Sequence, residues 1–412
     1  MLWSSLGLSL LVLVAGAFLV PALSLPEALL AILVGGTFGN ALLGGAAAIG
    51  AEAGVPAMVL LRAPLGRAGS YLPTGLNVLQ NLGWTIFEVL VIATAAQALV
   101  HGPLWVWKLA AAAAATILAL LGPVGFVRVW VKRVALWVVL GSLAYLTWWT
   151  LHDADLGALW SQPGQGGLSF WQGVDLVVAM PASWLPLAAD YTRFSRSSRG
   201  AFWGAGVGYF LPNVWLYALG AILLLTRGLS DAPSVITAIA AGGAGAAVAL
   251  VVLGVDETKE PFANIYSTAV SVQNLLPRVS QRLLILVVAA TATAGAFVID
   301  LVHYQDFLFL LGSFFVPLFG VLLAQWIVGE RDALEAPKIR PGQIAVWLVG
   351  FCIYQWLSPV GPASWIDLVD RTHPGRGAIG GSLPSFAAAF ILSLTLTLAR
   401  RAASRRHRTS VA

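Results

Sequence analysis

Cysteine is nearly absent. Cys352 is the only one in 412 residues, which excludes an internal disulfide framework and a multi-cysteine metal site. Charge is scarce as well, at 10% of residues against 59% hydrophobic, with a mean hydropathy of +0.85. Few soluble folds could hide that much apolar surface, so the chain reads as an all-α polytopic membrane protein. The apolar runs are long and do not alternate, which excludes a strand barrel. Histidine is sparse, and His101, His152, His303, His373 and His407 all fall at span ends, in loops or in the tail. No histidine therefore meets a carboxylate at mid-depth, and no HExxH or GxSxG motif occurs, which argues against an intramembrane hydrolase. The net charge of +5 is no nucleic-acid footprint, because the basic residues sit at span ends and in the tail.

What is present is a series of apolar runs bounded by Pro, Gly and charge. They predict twelve spans, near 2–23, 26–50, 71–100, 104–122, 127–149, 171–190, 201–226, 243–276, 281–299, 303–328, 343–358 and 383–400. The first carries Trp3, Ser4, Ser5 and Ser9, which a cleavable signal rarely would. It begins almost at the first residue, which leaves room for an N-terminal extension in a longer form. Lys and Arg are distributed unevenly between the connections. Eighteen, among them Arg62, Arg67, Arg128, Lys132, Arg133, Arg193, Arg331 and the tail arginines, fall on one side, against Lys108, Arg227, Arg371 and Arg376 on the other. The positive-inside rule then puts both ends in the cytoplasm of a cell-membrane protein. Helices one to five (1–149) and six to ten (171–328) would form two inverted repeats, with two accessory helices (343–400) and a basic tail (401–412). Span six holds Pro181 and Pro186 in mid-membrane, and span one holds Gly7 and Ala15-Gly16 as a weaker sign of interruption. Interrupted helices in matching positions of two repeats point to a transporter substrate site, although proline kinks also serve ordinary packing.

Two stretches carry polar groups into this apolar background. In Val255-Asp256-Glu257-Thr258-Lys259-Glu260-Pro261, four charges crowd five residues. At membrane depth each costs roughly 2.5–3.5 kcal/mol, so such charges are paired or functional. Asp256, Glu260, Asn264, Ser267 and Ser271 recur with helical spacing, which predicts one face looking into a bundle. The competing reading is a short interfacial loop with Pro261 starting the next helix. In span three, Asn77, Gln80, Asn81, Trp84 and Glu88 share another face, which predicts a wet cavity. Trp84 and Glu88 are one turn apart and can touch one small ligand. An indole stacks on a flat ring and a carboxylate accepts from adjacent N–H groups, so the pair suits an amino-substituted heterocycle. The alternatives are bundle packing for Trp84 and an ion pair with Lys259 for Glu88. Asp175, Asp190 and Glu52, near span ends, read as structural or gating residues, and 342–377 offers no chemistry.

Several motifs together resemble the nucleobase–cation symporter family of cytosine, purine, allantoin and hydantoin permeases. They are Gly50-Ala51-Glu52-Ala53-Gly54-Val55-Pro56, Arg62-Ala63-Pro64-Leu65-Gly66-Arg67 and Gly83-Trp84-Thr85-Ile86-Phe87-Glu88, joined by Ser183-Trp184-Leu185-Pro186 and Phe262-Ala263-Asn264-Ile265-Tyr266-Ser267. They most resemble the hydroxymethylpyrimidine permease branch, close to the cytosine permeases. The resemblance implies a LeuT-like five-plus-five inverted repeat with two C-terminal helices, no cofactor, and H⁺ or Na⁺ as a possible coupling ion. Its partners are a small heterocycle and the bilayer, with no nucleic acid and no protein partner. It also implies a ring sandwiched between Trp84 and Trp184, with edge contacts from Glu88 and Asn264, and with Ser183 and Ser9 nearby. A glutamate at 88 favours a donor-bearing edge, as in hydroxymethylpyrimidine or cytosine, over an all-carbonyl edge. Another nucleobase, or an amino acid on the same fold, is the alternative cargo. The resemblance further places a Na⁺ site at Ser5 and Leu8 on helix one and at Val255, Thr258 and position 259 on helix eight. Lys259 stands where sodium-coupled members have a hydroxyl. Its ammonium would repel Na⁺ and replace it as a fixed or titratable charge, acting with Asp256, Glu257 or Glu260. Alternatively it turns away to pair with Asp256 or Glu260 and leaves the site intact.

Overall fold

The computed structural model describes residues 2–121, 136–152, 154–275, 278–329, 331, 336–372 and 379–411. Arg128, Lys132 and Arg133, the start of the fifth predicted span, His373 and Arg376 lie outside the described residues. In chain order the principal helices are α1 (Leu2–Leu6), α2 (Leu10–Ala17), α3 (Leu25–Ala53), α4 (Tyr71–Val100), α5 (Leu104–Leu121) and α6 (Leu136–His152). There follow α7 (Phe170–Ala182), α8 (Ala188–Thr192), α9 (Ser198–Arg227), α10 (Ser234–Ala241) and α11 (Ala244–Glu257). The chain closes with α12 (Lys259–Leu275), α13 (Gln281–Val298), α14 (Tyr304–Val328), α15 (Pro341–Leu357) and α16 (Ser382–Val411). Seven of the described helices are long and apolar enough to cross a membrane unaided: α3, α4, α5, α9, α13, the segment Leu301–Val328 and the segment Ser382–Ala403. Apolar side chains such as Val248 and Val251 on α11 and Leu283, Leu286 and Val287 on α13 are exposed, as a lipid-facing surface requires.

Three predicted spans are broken in two, each for a local reason. The first opens between α1 and α2 at Gly7–Ser9, where Ser9 turns extended and caps α2 by accepting from the Leu11 N–H at 3.0 Å. A side chain at Gly7 would sit 2.6 Å from the Pro212 ring, so this crossing needs glycine. Gly16, read from the sequence as a second interruption, lies in the last turn of α2, which ends at Ala17. A Cβ there would fall 2.0 Å from the Tyr217 carbonyl, so Gly16 also permits close contact between α2 and α9. The sixth span ends α7 after Pro181 and resumes at α8, with Leu187 out of helical geometry between them. The eighth breaks at Thr258, and Pro261 follows in the first turn of α12, where its missing N–H costs nothing. This break corrects the expectation of one polar face running from Asp256 to Ser271, because Asp256 and Asn264 belong to different helices. The interfacial-loop reading had a helix start near Pro261 right in kind, but the two halves are joined through Thr258 alone, with no loop between them.

The helices sort into two groups. One packs α2, α3, α7, α8 and α9 together, and the other packs α4, α5, α12 and α13. Each group thus takes the first two or the next two spans from both halves of the chain. Outside them, α15 and α16 pack with α14. A buried amide and hydroxyl cluster of Gln325, Gln343, Ser393 and Thr397 joins these three, so the C-terminal region carries more polar chemistry than its sequence suggested. Asp175 on α7 accepts from the Gly381 and Ser382 N–H groups at 2.6 and 2.9 Å, tying α7 to the start of α16.

Candidate functional site

Where the two groups face each other, the ends of the broken helices meet α4, α9 and α12 around a cavity. Its walls include Ser9, Trp84, Glu88, Ser183, Trp184 and Asn264, the six residues singled out from the sequence for substrate contact. Tyr209 and Glu260 complete its polar and aromatic lining. Trp84 is held edge-on by Phe307 and Tyr304, with ring centroids 5.3 and 5.9 Å away. Trp184 is held edge-on by Trp3 at 5.8 Å and Tyr209 at 6.2 Å, and its indole N–H donates to the Tyr209 hydroxyl at 3.1 Å. Among the described residues no ring contact joins the two indoles to each other, so they approach the cavity as separate walls.

The Glu88 carboxylate is buried, and both its oxygens accept from the Asn264 side-chain amide, at 3.0 and 3.2 Å. The ion pair between Glu88 and Lys259 that the sequence left open is not formed. Lys259 instead donates to Asp256 at 2.5 Å and to the Ser5 carbonyl at 3.0 Å, with the Ser5 hydroxyl at 3.5 Å. Its ammonium therefore bridges the end of α11 to the end of α1. Thr258 turns its hydroxyl back to the Val255 carbonyl at 2.7 Å, and the Val255 side chain is exposed. Leu8 is buried within the break of the first span. Of the five residues assigned to a cation site, the structure brings together Ser5 and Lys259, while the Val255 carbonyl and the Thr258 hydroxyl satisfy each other.

Glu257 has a part that its sequence position did not announce. Its carboxylate accepts from the Ser9 hydroxyl at 2.6 Å and the Leu10 N–H at 2.8 Å. It thereby caps α2, binding the free donors and the positive dipole end of the half-helix. Ser183 spends its hydroxyl on the Met180 carbonyl at 2.7 Å, and its own carbonyl accepts from Gln80 at 3.0 Å. Gln80 also donates to Asn77 at 2.8 Å, so this part of the α4 polar face positions the α7 break rather than lining the cavity. Tyr209 was missed. The signal was available: Tyr209, Asn213 and Tyr217 stand four residues apart on α9, and all three are buried.

The charged groups near span ends are structural. Asp190 accepts from the Ala57 N–H at 2.9 Å, and Glu52 pairs with Arg331 and accepts from the Trp326 indole at 3.0 Å. A second, roomier hollow lies between Asp190, Arg62, Arg193 and the Ser267–Ser271 side of α12. Among the described residues, no group of three or more His, Cys, Asp or Glu side chains is placed to hold a metal ion.

The family model described as permease for cytosine/purines, uracil, thiamine, allantoin matches residues 1–340. Among solved structures, the chain is similar to Mhp1, a nucleobase-cation-symport-1 family transporter, in a closed conformation with bromovinylhydantoin bound. That match has 21% identity and a TM-score of 0.72 and covers 95% of this chain and 90% of Mhp1. The inward-facing conformation of Mhp1 matches with 19% identity and a TM-score of 0.76, covering 98% and 90%. MhsT in complex with L-phenylalanine shares the fold at 12% identity and a TM-score of 0.54, covering 95% and 97%. These likenesses agree with a polytopic, LeuT-like membrane fold. No curated protein matches the chain.

Proposed function

The chain belongs to the family of permeases for cytosine/purines, uracil, thiamine and allantoin, and is a transporter rather than an enzyme; from that premise we propose that it carries a planar aminopyrimidine, hydroxymethylpyrimidine or cytosine, across the membrane by alternating access. The observation that carries this reading is the Glu88 carboxylate, fixed by Asn264, on the wall of a cavity that also holds Trp84 and Trp184. A ring between the two indoles gains stacking and apolar burial. Its exocyclic amine donates to Glu88, while Asn264 keeps its carbonyl for a further donor. An all-carbonyl edge would meet the carboxylate with acceptor against acceptor and be rejected.

Mhp1 is described as a nucleobase-cation symporter, and in this chain the Lys259 ammonium lies against Ser5, one of the residues that the family resemblance assigns to a cation site. Lys259 rests on the Ser5 carbonyl and is neutralised by Asp256, which supports a fixed internal cation instead of bound Na⁺. An amino-acid cargo, as MhsT holds L-phenylalanine, is disfavoured by Glu257. The start of α2 is where a substrate carboxylate would bind on this fold, and Glu257 already accepts from the Leu10 N–H there.

The test is uptake into proteoliposomes of labelled hydroxymethylpyrimidine and cytosine beside uracil, a hydantoin and L-phenylalanine. Uptake of the aminopyrimidines that survives removal of Na⁺ is expected. Preference for uracil or the hydantoin would contradict the role given to Glu88, and uptake of L-phenylalanine alone would restore the amino-acid reading.

A further inference from the structure

The charges around the cavity do not balance. Asp256, Glu257, Glu260 and Glu88 are four carboxylates in one neighbourhood, and Lys259 is the cation set among them. Lys259 is committed to Asp256 and the Ser5 carbonyl. Glu257 is satisfied by the Ser9 hydroxyl and the Leu10 N–H. Glu88 has the amide of Asn264. Glu260 lines the cavity with only 7% of its surface exposed, and its Oε1 has no hydrogen-bond partner. Arg62 and Arg193 line the other hollow.

A buried carboxylate oxygen with no donor, beside an ammonium already bonded to other groups, is costly, and it is relieved either by a proton or by a positive ligand. The rest of the wall favours the second. Trp84, Trp184 and Tyr209 surround the same space, and aromatic faces attract cations. The acidic and aromatic lining together is the chemistry that recognises an organic cation. Resting on the aminopyrimidine reading, we infer that the cavity takes its heterocycle in positively charged form, with Glu260 as the residue that selects for the charge and Glu88 as the reader of the donor edge. Aminopyrimidines are weak bases, so a ring protonated on nitrogen supplies the charge. The groups that face it are Glu88 from α4, Tyr209 from α9, Glu257 from the end of α11, and Glu260 with the paired Lys259 from α12. Tyr191 of α8 lies behind Trp184.

The experiment compares two probes of nearly equal shape on the purified full chain at pH 8, read by tryptophan fluorescence. One is 4-amino-6-methylpyrimidine, neutral at this pH, and the other is 4-amino-1-methylpyrimidinium, which is permanently charged. The wild type should bind the cation at least tenfold tighter. Glu260→Gln should reduce that ratio to between one and two while still binding the neutral ring. The wild-type comparison stands even if the variant fails to fold. Equal or tighter binding of the neutral probe by the wild type would show that Glu260 carries its own proton. That result overturns this inference and leaves the aminopyrimidine reading intact. Failure of both probes to bind would overturn both.

Discussion

Replacing Glu257 tests how the broken first span is held. Its carboxylate accepts two hydrogen bonds, from the Ser9 hydroxyl at 2.6 Å and the Leu10 N–H at 2.8 Å, across 247 or more residues of sequence. Hydrogen bonds to a charged acceptor contribute roughly 1.5–3 kcal/mol each. The hydroxyl can rotate toward another acceptor, whereas the backbone N–H cannot. Glu257→Ala should therefore cost about 3 kcal/mol, and Glu257→Gln, which keeps one acceptor, about half of that. The assay is the midpoint of unfolding in detergent for the two variants, with Ser9→Ala and the double variant Ser9→Ala/Glu257→Ala completing a cycle. The expected order is wild type, then Gln, then Ala, with a coupling energy between Ser9 and Glu257 of about 1–2 kcal/mol. An Ala variant as stable as wild type, or additive effects in the cycle, would refute the claim that this carboxylate holds the start of α2.

Other perturbations follow from the same structure. Lys259→Thr removes the ammonium from the Ser5 carbonyl, and ligand affinity that ignored Na⁺ in the wild type should become Na⁺-dependent in a binding titration. Gly220→Ala would push a methyl group to 1.8 Å from the Leu13 carbonyl, so it should cost upward of about 3 kcal/mol and be visible as loss of folded protein on size exclusion. Asp175→Ala leaves the Gly381 and Ser382 N–H groups without their buried acceptor. It should lower stability by about 2–3 kcal/mol in the detergent-unfolding assay and leave ligand affinity unchanged. Arg331→Ala breaks a pair whose side chains are 48% and 43% exposed, so its cost should stay within about 1 kcal/mol in the same assay.

Much of this arrangement can be read from local sequence. The apolar runs placed the helices because a membrane helix must satisfy its own backbone, so its length and composition are constrained residue by residue. Pro181 and Pro186 marked the break between α7 and α8, since proline removes a donor wherever it stands. Trp84 and Glu88 announced a cavity by standing one turn apart in an apolar helix. The break at Thr258 had a fainter mark. Pro261, which cannot donate to the Glu257 carbonyl one turn back, stands three residues further on, but the helical spacing of Asp256, Glu260 and Asn264 suggested continuity. What stayed hidden is what the two helix ends hold, Ser9 and Leu10 on Glu257 and Ser5 on Lys259, because no local pattern encodes a contact some 250 residues away. Gly16 was legible only in part. Glycine in a membrane helix signals either a break or a close crossing, and here it stands one residue before α2 ends and also makes a close crossing that only the position of Tyr217 on α9 reveals. Tyr209 was legible from its spacing with Asn213 and Tyr217, but tyrosines in an apolar helix look like packing until a partner such as Trp184 is seen.

The central claim is that a flat aminopyrimidine lies between Trp84 and Trp184 with its donor edge on Glu88. The most direct measurement is quenching of intrinsic tryptophan fluorescence in the purified chain by hydroxymethylpyrimidine and cytosine, with uracil and a hydantoin as controls. Saturable quenching by the aminopyrimidines that is lost in Trp84→Ala and weakened at least tenfold in Glu88→Gln is the predicted result. Tighter binding of uracil or the hydantoin, or aminopyrimidine affinity indifferent to Glu88→Gln, would contradict it.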